Sequence, residues 1–363
     1  MLTLEHQIDT GNTAPIRMAP RSIPYHQHEE VQHDIAETEH SGIIKKSSSP
    51  WAFFIVVVRT KDGTVRICVD YHRLNDITRK DAHSLPRIED IFDALRGSKY
   101  FSTLYLASGY HQVSVAKEDK EKTAFVTLWG HYEYEVMPSE LCNSPATFQS
   151  LMALIFSGVV GLECLIYSDD IIIFGPIFDV HLLRFEKVFI RLQENNLIIK
   201  LQKCHFGLPH VSFLGHVVSG DGIQTDPAKT SSIGTWRLPQ NISQLRGFLG
   251  LAFYYRRFIK DFRKIASPMT AMLEKDKAFI WTDEGKRAFT EIKHFLTNPP
   301  ILAYPDFSAT FILDTDASDL GIGAVLSQKG KDDLENPIAY YSRGFNKHEN
   351  KLFSHSEKAF SCN

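Results

Sequence analysis

Two adjacent carboxylates, Asp169 and Asp170, stand inside an apolar run, CLIYSDDIIIFG, at 164–175. Cys164, Leu165 and Ile166 precede them, and Ile171, Ile172, Ile173 and Phe174 follow. A bare carboxylate is strongly disfavoured in apolar surroundings, so the pair has two physical solutions. Either it caps a turn that leaves both side chains in water, or a cation sits against it. Paired carboxylates on a rigid hairpin suit a two-metal centre, which clamps the attacking and leaving oxygens of a phosphoryl transfer. Mg2+ takes hard oxygen ligands of this kind, commonly one or two carboxylates plus the phosphates of its substrate. A Tyr-x-Asp-Asp stretch by itself leaves the choice open. A second group, His26, His28 and His33, has no cysteine or further ligand cluster beside it and reads as a solvated helix face.

The flanking pattern predicts the elements that position the pair. The stretch itself reads strand–turn–strand, and SPATFQSLMALIFSG before it reads as an amphipathic helix with Pro145 in its first turn. A helix is expected at 179–194 and a strand in VSFLGHVV. Upstream, a helix is expected from Tyr25 to Glu39, and strands at 51–58 and 64–69 flank the turn pair Asp62-Gly63. Pro86 opens a helix closed by Gly97, and strands follow at 100–106, 122–128 and 131–136. From 225 the chain turns helix-rich, aromatic and basic. Asn298-Pro299-Pro300 breaks it before ATFILDTDASDLGIGAVLSQ, which reads as strand, tight turn and strand.

Bulk composition narrows the class. A chain of 363 residues accommodates two or three domains at roughly 150 residues each. Hydrophobic residues make up 43% of it, enough for a packed core. A net charge of −3 gives no overall basic footprint, so any nucleic-acid contact must come from local patches. Five scattered cysteines without a CxxC pair argue for a reducing compartment and against a disulfide or zinc framework. The first residues lack the apolar core of a signal peptide. The longest apolar run, WAFFIVVV, has eight residues, against about 18 needed to cross a membrane. An intracellular, cytoplasmic protein without a membrane partner is expected.

Longer stretches carry a resemblance. SSSPWAFFIVVVRTKDGTVRICVDYHRLN, YFSTLYLASGYHQV, KTAFVT, MPSELCNSPATFQSLM, YSDDIIIF, KCHF, VSFLGHVVSGDGIQTDPAKT, LRGFLGLAFYYRRFIKDF and DTDASDLGIGAVLSQ follow one another in order. So arranged, the chain resembles nearly end to end the reverse transcriptase and RNase H region of gypsy-type LTR retrotransposon Pol polyproteins, as a degenerate and truncated copy. The resemblance implies an α+β fold: a right-hand polymerase of fingers, palm and thumb, then a connection and an incomplete RNase H-like α/β domain. It places an N-terminal extension at 1–44, fingers and palm at 45–224, thumb at 225–272, connection at 273–307 and the RNase H-like part at 308–363. It implies RNA-directed DNA polymerase activity with two Mg2+ ions, an RNA or DNA template carrying a DNA primer, and deoxynucleoside triphosphates. In the family this chemistry runs in virus-like particles.

Carried over residue by residue, Asp169 and Asp170 match the metal-binding pair on the palm hairpin. Arg66 matches the arginine that contacts the incoming triphosphate, and Lys61 lies near it; a guanidinium suits phosphate. Tyr110 matches the aromatic that excludes a 2′-hydroxyl. Phe213, Leu214, Gly215 and His216 match the turn that grips the primer end. Arg246, Tyr254, Tyr255, Arg256 and Arg257 match a thumb helix, which would either set arginines on phosphates or simply present a core face and a solvated face. Asp316 matches the first metal-binding aspartate of the RNase H-like domain.

The departures bear on activity. Tyr105 stands where the family's third metal-binding aspartate belongs. With an ordinary pKa near 10 it is neutral and a poor Mg2+ ligand. Ser139 and Glu140 replace Phe and Gly, and Glu140 is expected to bring negative charge near template and nucleotide. His72 replaces an arginine, and Ser168 is an unusual residue before the pair. Ala359 takes the RNase H glutamate slot, so RNase H activity is not expected. Phosphoryl transfer depends on positioning and electrostatics, so loss of a bridging carboxylate predicts impaired polymerisation. The competing expectations are a non-catalytic nucleic-acid-binding remnant, and a decayed product with no stable fold.

Overall fold

Apolar residues at 148, 151, 152 and 155 recur at helical spacing, and Ser144–Ile155 forms a helix that buries Phe148, Leu151, Met152 and Ile155. That helix backs the hairpin of Cys164–Tyr167 and Asp170–Gly175, whose second strand is buried at every position after Asp170. The computed structural model describes residues 4–59, 63, 65–83, 86–274, 277–318, 321–330 and 333–345. They fall into two compact units, one of Met1–Arg87, Ser102–Ile173 and Asp179–Phe206, the other of Ile88–Phe101, Phe174–Phe178 and Gly207–Asn363.

The hairpin belongs to a four-stranded sheet in the order Cys164–Tyr167, Asp170–Gly175, Tyr100–Tyr105, His205–Leu208. The strand ending at Tyr105 is therefore the direct neighbour of the strand that starts at Asp170. A five-stranded sheet runs in the order Ile44–Lys46, His131–Tyr134, Phe125–Val126, Phe53–Arg59, Val65–Val69, with one parallel pair, Phe53–Arg59 on Phe125–Val126. Phe53, Phe125, Phe148 and Phe156 form part of one core and are each at most 2% exposed; burial of each is worth about 1.5–3 kcal/mol. The proline-broken N-terminal stretch is stitched to this core: the amide of Ile8 donates to Asp119 at 2.8 Å and that of Met18 to the Ala52 carbonyl at 2.8 Å.

The second unit holds helix Ile88–Asp93, the sheet His210–Phe213, His216–Ser219, Gly222–Thr225, and helices Pro227–Gly234, Ile242–Tyr254, Phe262–Ala271 and Asp283–Thr297. Side chains of Asp226, Asn241 and Thr282 accept amide hydrogen bonds at three of these helix starts. An antiparallel sheet of Ile312–Ser318, Gly321–Lys329 and Glu335–Gly344 follows. Among the described residues no helix is long and apolar enough to cross a membrane.

Three elements differ from the sequence reading. VSFLGHVV is two strands of a hairpin, with Phe213 paired to His216 across the turn Leu214-Gly215. The expected strand at 122–128 is a 3-10 turn, Lys120–Thr123, followed by a two-residue strand; Thr123 bonds its hydroxyl to the Lys120 carbonyl and so favours the turn. Pro86 precedes the helix, which starts at Ile88. The Asp62-Gly63 turn lies outside the described residues except for Gly63.

Candidate active site

The turn between Tyr167 and Asp170 consists of Ser168 and Asp169. Ser168 takes a left-handed backbone at φ 52°, a conformation with a steric cost for any residue bearing a Cβ. It is held there from two sides: its amide donates to Gln149 Oε1 at 3.0 Å, and its hydroxyl bonds that of Tyr110 at 3.2 Å. The Asp169 carbonyl accepts from the Leu106 amide at 3.1 Å, tying the turn to the strand that carries Tyr105. Gly109 completes the fit, since a Cβ there would lie 2.4 Å from Asp169 Oδ1.

That oxygen is the exceptional atom of the site. Asp169 Oδ1 is buried and has no hydrogen-bond partner. Burial and then the adjacent Asp170 charge push the Asp169 carboxyl up to about 6, with Lys203 opposing. Burial also raises Asp170, again against Lys203. Two desolvated carboxylates, one with an orphan oxygen, fit a single hard cation. They do not fit two ions. Tyr105 supplies a neutral phenol, driven above its ordinary value by burial and by the charges of Asp169 and Asp170, with Arg66 opposing. Lys203 lies 4.0 Å over the Tyr105 ring in a cation–π contact. Among the described residues no cluster of three or more His, Cys, Asp or Glu is arranged for a metal.

A cleft of about 790 Å³ gathers Arg66, Tyr105, Gly109, Tyr110, Asp169 and Lys203. The sequence-derived nucleotide residues Arg66 and Tyr110 are thus brought to the carboxylate turn. Arg66 donates to the Ser139 hydroxyl at 3.2 Å, and Tyr110 meets Phe148 edge-on at 5.4 Å. Lys61 lies outside the described residues. Glu140 lines a separate cavity of about 200 Å³ with Arg66 and His111, not the carboxylate cleft. His72 pairs with Asp70 at 2.7 Å on the surface. Sequence reasoning passed over Gln149, Gly109 and Lys203 as individual residues, although all three sit inside the quoted motifs.

In the second unit, Phe213 and His216 are buried and Leu214-Gly215 form the hairpin turn between them. The thumb expectation is corrected at Arg257: the helix ends at Tyr254, and a 3-10 turn, Arg256–Phe258, carries Arg257 inward, where it donates to the Ile338 carbonyl at 3.3 Å. Arg256 instead stacks at 3.9 Å over Phe253. Asp316 is exposed on its strand and lines a small pocket with Asp261, Arg263, Lys264 and Ser342. Ala359 lies outside the described residues.

The family model for reverse transcriptase (RNA-dependent DNA polymerase) matches residues 45–218, and that for the RNase H-like domain found in reverse transcriptase matches 281–362. The retrovirus-related Pol polyprotein from transposon 297 of Drosophila melanogaster is 39% identical over 353 residues, covering 96% of this chain. The chain belongs to the reverse transcriptase–RNase H region of LTR-retrotransposon Pol polyproteins. It spans 33% of the transposon 297 polyprotein, and 25% of the Tf2-3 polyprotein of Schizosaccharomyces pombe, to which it is 36% identical over 92% of its own length. Among solved structures, the foamy viral protease-reverse transcriptase in complex with dsDNA matches with a TM-score of 0.86 at 26% identity, over 99% of this chain and 76% of that one. The same enzyme in complex with an RNA/DNA hybrid gives 0.84 at 24% identity, over 98% and 49%, and shares the fold. The expected architecture, an α+β reverse transcriptase followed by an RNase H-like domain, therefore holds.

Proposed function

We propose that this reverse transcriptase region binds a primed RNA or DNA template and deoxynucleoside triphosphates but transfers nucleotides poorly. The observation that carries the reading is Tyr105 against the desolvated pair Asp169 and Asp170, with Tyr105 and Asp169 lining the cleft that also holds Arg66 and Tyr110. Arg66 would hold triphosphate oxygens as a charged fork, and Tyr110, fixed by Ser168 and Phe148, would crowd a 2′-hydroxyl. A divalent cation on Asp169 and Asp170 would supply Lewis-acid polarisation of phosphate oxygens. Tyr105 adds no negative charge to hold a second ion. The nucleic acids in the foamy viral complexes support the choice of partner. Fingers and palm at 45–224, thumb at 225–272, connection at 273–307, RNase H-like residues at 308–363 and a cytoplasmic setting belong to the same proposal.

Primer extension with Mg2+ or Mn2+ tests it. Little extension by the chain as written, restored by Tyr105→Asp, is the expected result; robust extension by the unaltered chain refutes it. A second reading, a binding protein without chemistry, is favoured by the hairpin at Phe213–His216, which keeps its turn while the carboxylate set is short of a member. Steeply salt-dependent template–primer binding, with no extension even after Tyr105→Asp, would select it.

A further inference from the structure

The turn Leu214-Gly215 places both residues in the left-handed region, Leu214 at φ 47° and Gly215 at φ 71°. Two-residue hairpins favour such turns because their twist matches that of the strands, but leucine lacks the side chain or the freedom that makes the region easy for Asn or Gly. Strain of this kind persists only where the surroundings over-determine it. Here the surroundings are two consecutive tyrosines, forty residues away in the chain. Tyr254 donates its hydroxyl to the Leu214 carbonyl at 2.8 Å, and Tyr255 donates to the Gly215 carbonyl at 2.8 Å. Each carbonyl accepts once more: Leu214 from His216 Nδ1 at 2.7 Å, and Gly215 from the Asp226 amide at 3.1 Å. A carbonyl oxygen has two lone pairs, so both turn carbonyls are saturated. The His216 ring is packed among Phe92, Tyr254, Tyr255 and Phe258, with centroids 4.8–5.5 Å away.

We infer that Tyr254 and Tyr255 are positioning residues that lock the peptide planes of the Leu214-Gly215 turn. A trans peptide is planar, with its N–H opposite its C=O. Fixing the Leu214 carbonyl on the tyrosine side therefore fixes the Gly215 amide on the opposite edge of the same plane. An N–H held in one direction presents a ready donor to a phosphate oxygen of a strand end, without an ordering cost at binding. The inference rests on the proposal that this hairpin grips a primer end, and it assigns to the tyrosine pair a role different from phosphate contact by the neighbouring arginines. It also accounts for glycine at 215, where a Cβ would meet the Tyr255 hydroxyl at 3.0 Å.

The test compares the full chain with Tyr254→Phe, Tyr255→Phe and the double variant, each of which removes only hydroxyls. Binding to a DNA duplex with a recessed 3′ end and to a blunt duplex is followed by fluorescence anisotropy. Amide hydrogen exchange of residues 213–216 is followed alongside. The unaltered chain is expected to prefer the recessed end. The double variant should lose about tenfold of that preference, the scale of two neutral hydrogen bonds, keep its blunt-duplex affinity, and exchange faster at the turn. Unchanged preference in the double variant overturns the lock while leaving the grip standing. An equal loss on both duplexes marks a merely structural role and also overturns it. No preference in the unaltered chain overturns the grip itself, and the lock with it. If the double variant does not fold, the single variants give the same comparison.

Discussion

The carboxylate turn of the first unit and the tyrosine-backed turn of the second place polar groups at hairpin tips in opposite states. At Ser168-Asp169 a buried carboxylate oxygen has no partner, a second carboxylate adjoins it, and the neighbouring strand offers a phenol. At Leu214-Gly215 both carbonyls accept two hydrogen bonds each. A buried polar group left unpaired costs about 1–3 kcal/mol, more when charged, so the first turn is built for something to be added and the second is complete by itself. Under the proposed function the contrast separates chemistry from holding: the first turn has the neutral Tyr105 beside its carboxylates, while the second has every hydrogen-bonding partner it uses.

The largest effect should come from Tyr105. Tyr105→Asp should raise primer extension by at least about a hundredfold, the scale on which one electrostatic group counts at a reacting centre. Gain of activity would sharpen the contrast, since the holding apparatus must then have been intact throughout.

A change of pH probes the two turns with opposite signs. Burial pulls His216 down to about 4, and likewise His6 in the first unit. The unfolded chain takes up these protons between pH 6.5 and 4 and the folded chain does not, so stability is complete above pH 6.5 and is lost as pH falls through that window. The loss is at most about 3 kcal/mol per histidine. Asp169 runs the other way. Its carboxyl, pushed up to about 6, is protonated in the folded chain while already ionised in the unfolded one, so it withdraws stability as pH rises from about 4 to 6. Urea melts in EDTA should therefore show Asp169→Asn stabilising at pH 8 and nearly neutral at pH 3.5. No gain at pH 8 would break the claim that the first turn is electrostatically incomplete.

Gly109→Ala forces a methyl into the space of Asp169 Oδ1 and should cost about 1–3 kcal/mol by urea melts. A neutral outcome would mean that the Asp169 side chain turns away at little expense. The smallest effect is at Lys203: Lys203→Met removes the contact over Tyr105 and part of the charge compensation, for about 0.5–1 kcal/mol by the same assay.

Much of this was legible in the chain. The hairpin at 164–175 and the helix at 179–194 follow from local periodicity and turn chemistry, while the α+β architecture comes from the resemblance; the structure has Phe178–Glu194 helical and the hairpin paired as read. Periodicity reads the second hairpin as one strand, and only the resemblance puts a turn at 213–216, because that turn has leucine in a left-handed conformation rather than the Asn-Gly or Asp-Gly that announces such a loop; the donors that hold it come from Tyr254 and Tyr255. The inward turn of Arg257 is not legible in the chain, because it depends on where a helix stops and a 3-10 turn begins.

The sequence by itself determined the chemical inventory: two carboxylates in an apolar run, a tyrosine at 105, and the strands and helices that carry them. Those are properties of neighbours within a few residues, where side-chain period and backbone preference act. Tertiary structure decided that the strand of Tyr105 lies beside that of Asp170, that Asp169 is desolvated with an orphan oxygen against Gly109, and that a strained turn is held by hydroxyls forty residues away. Hydration, charge and hydrogen-bond saturation are set by groups that meet only when the chain is folded.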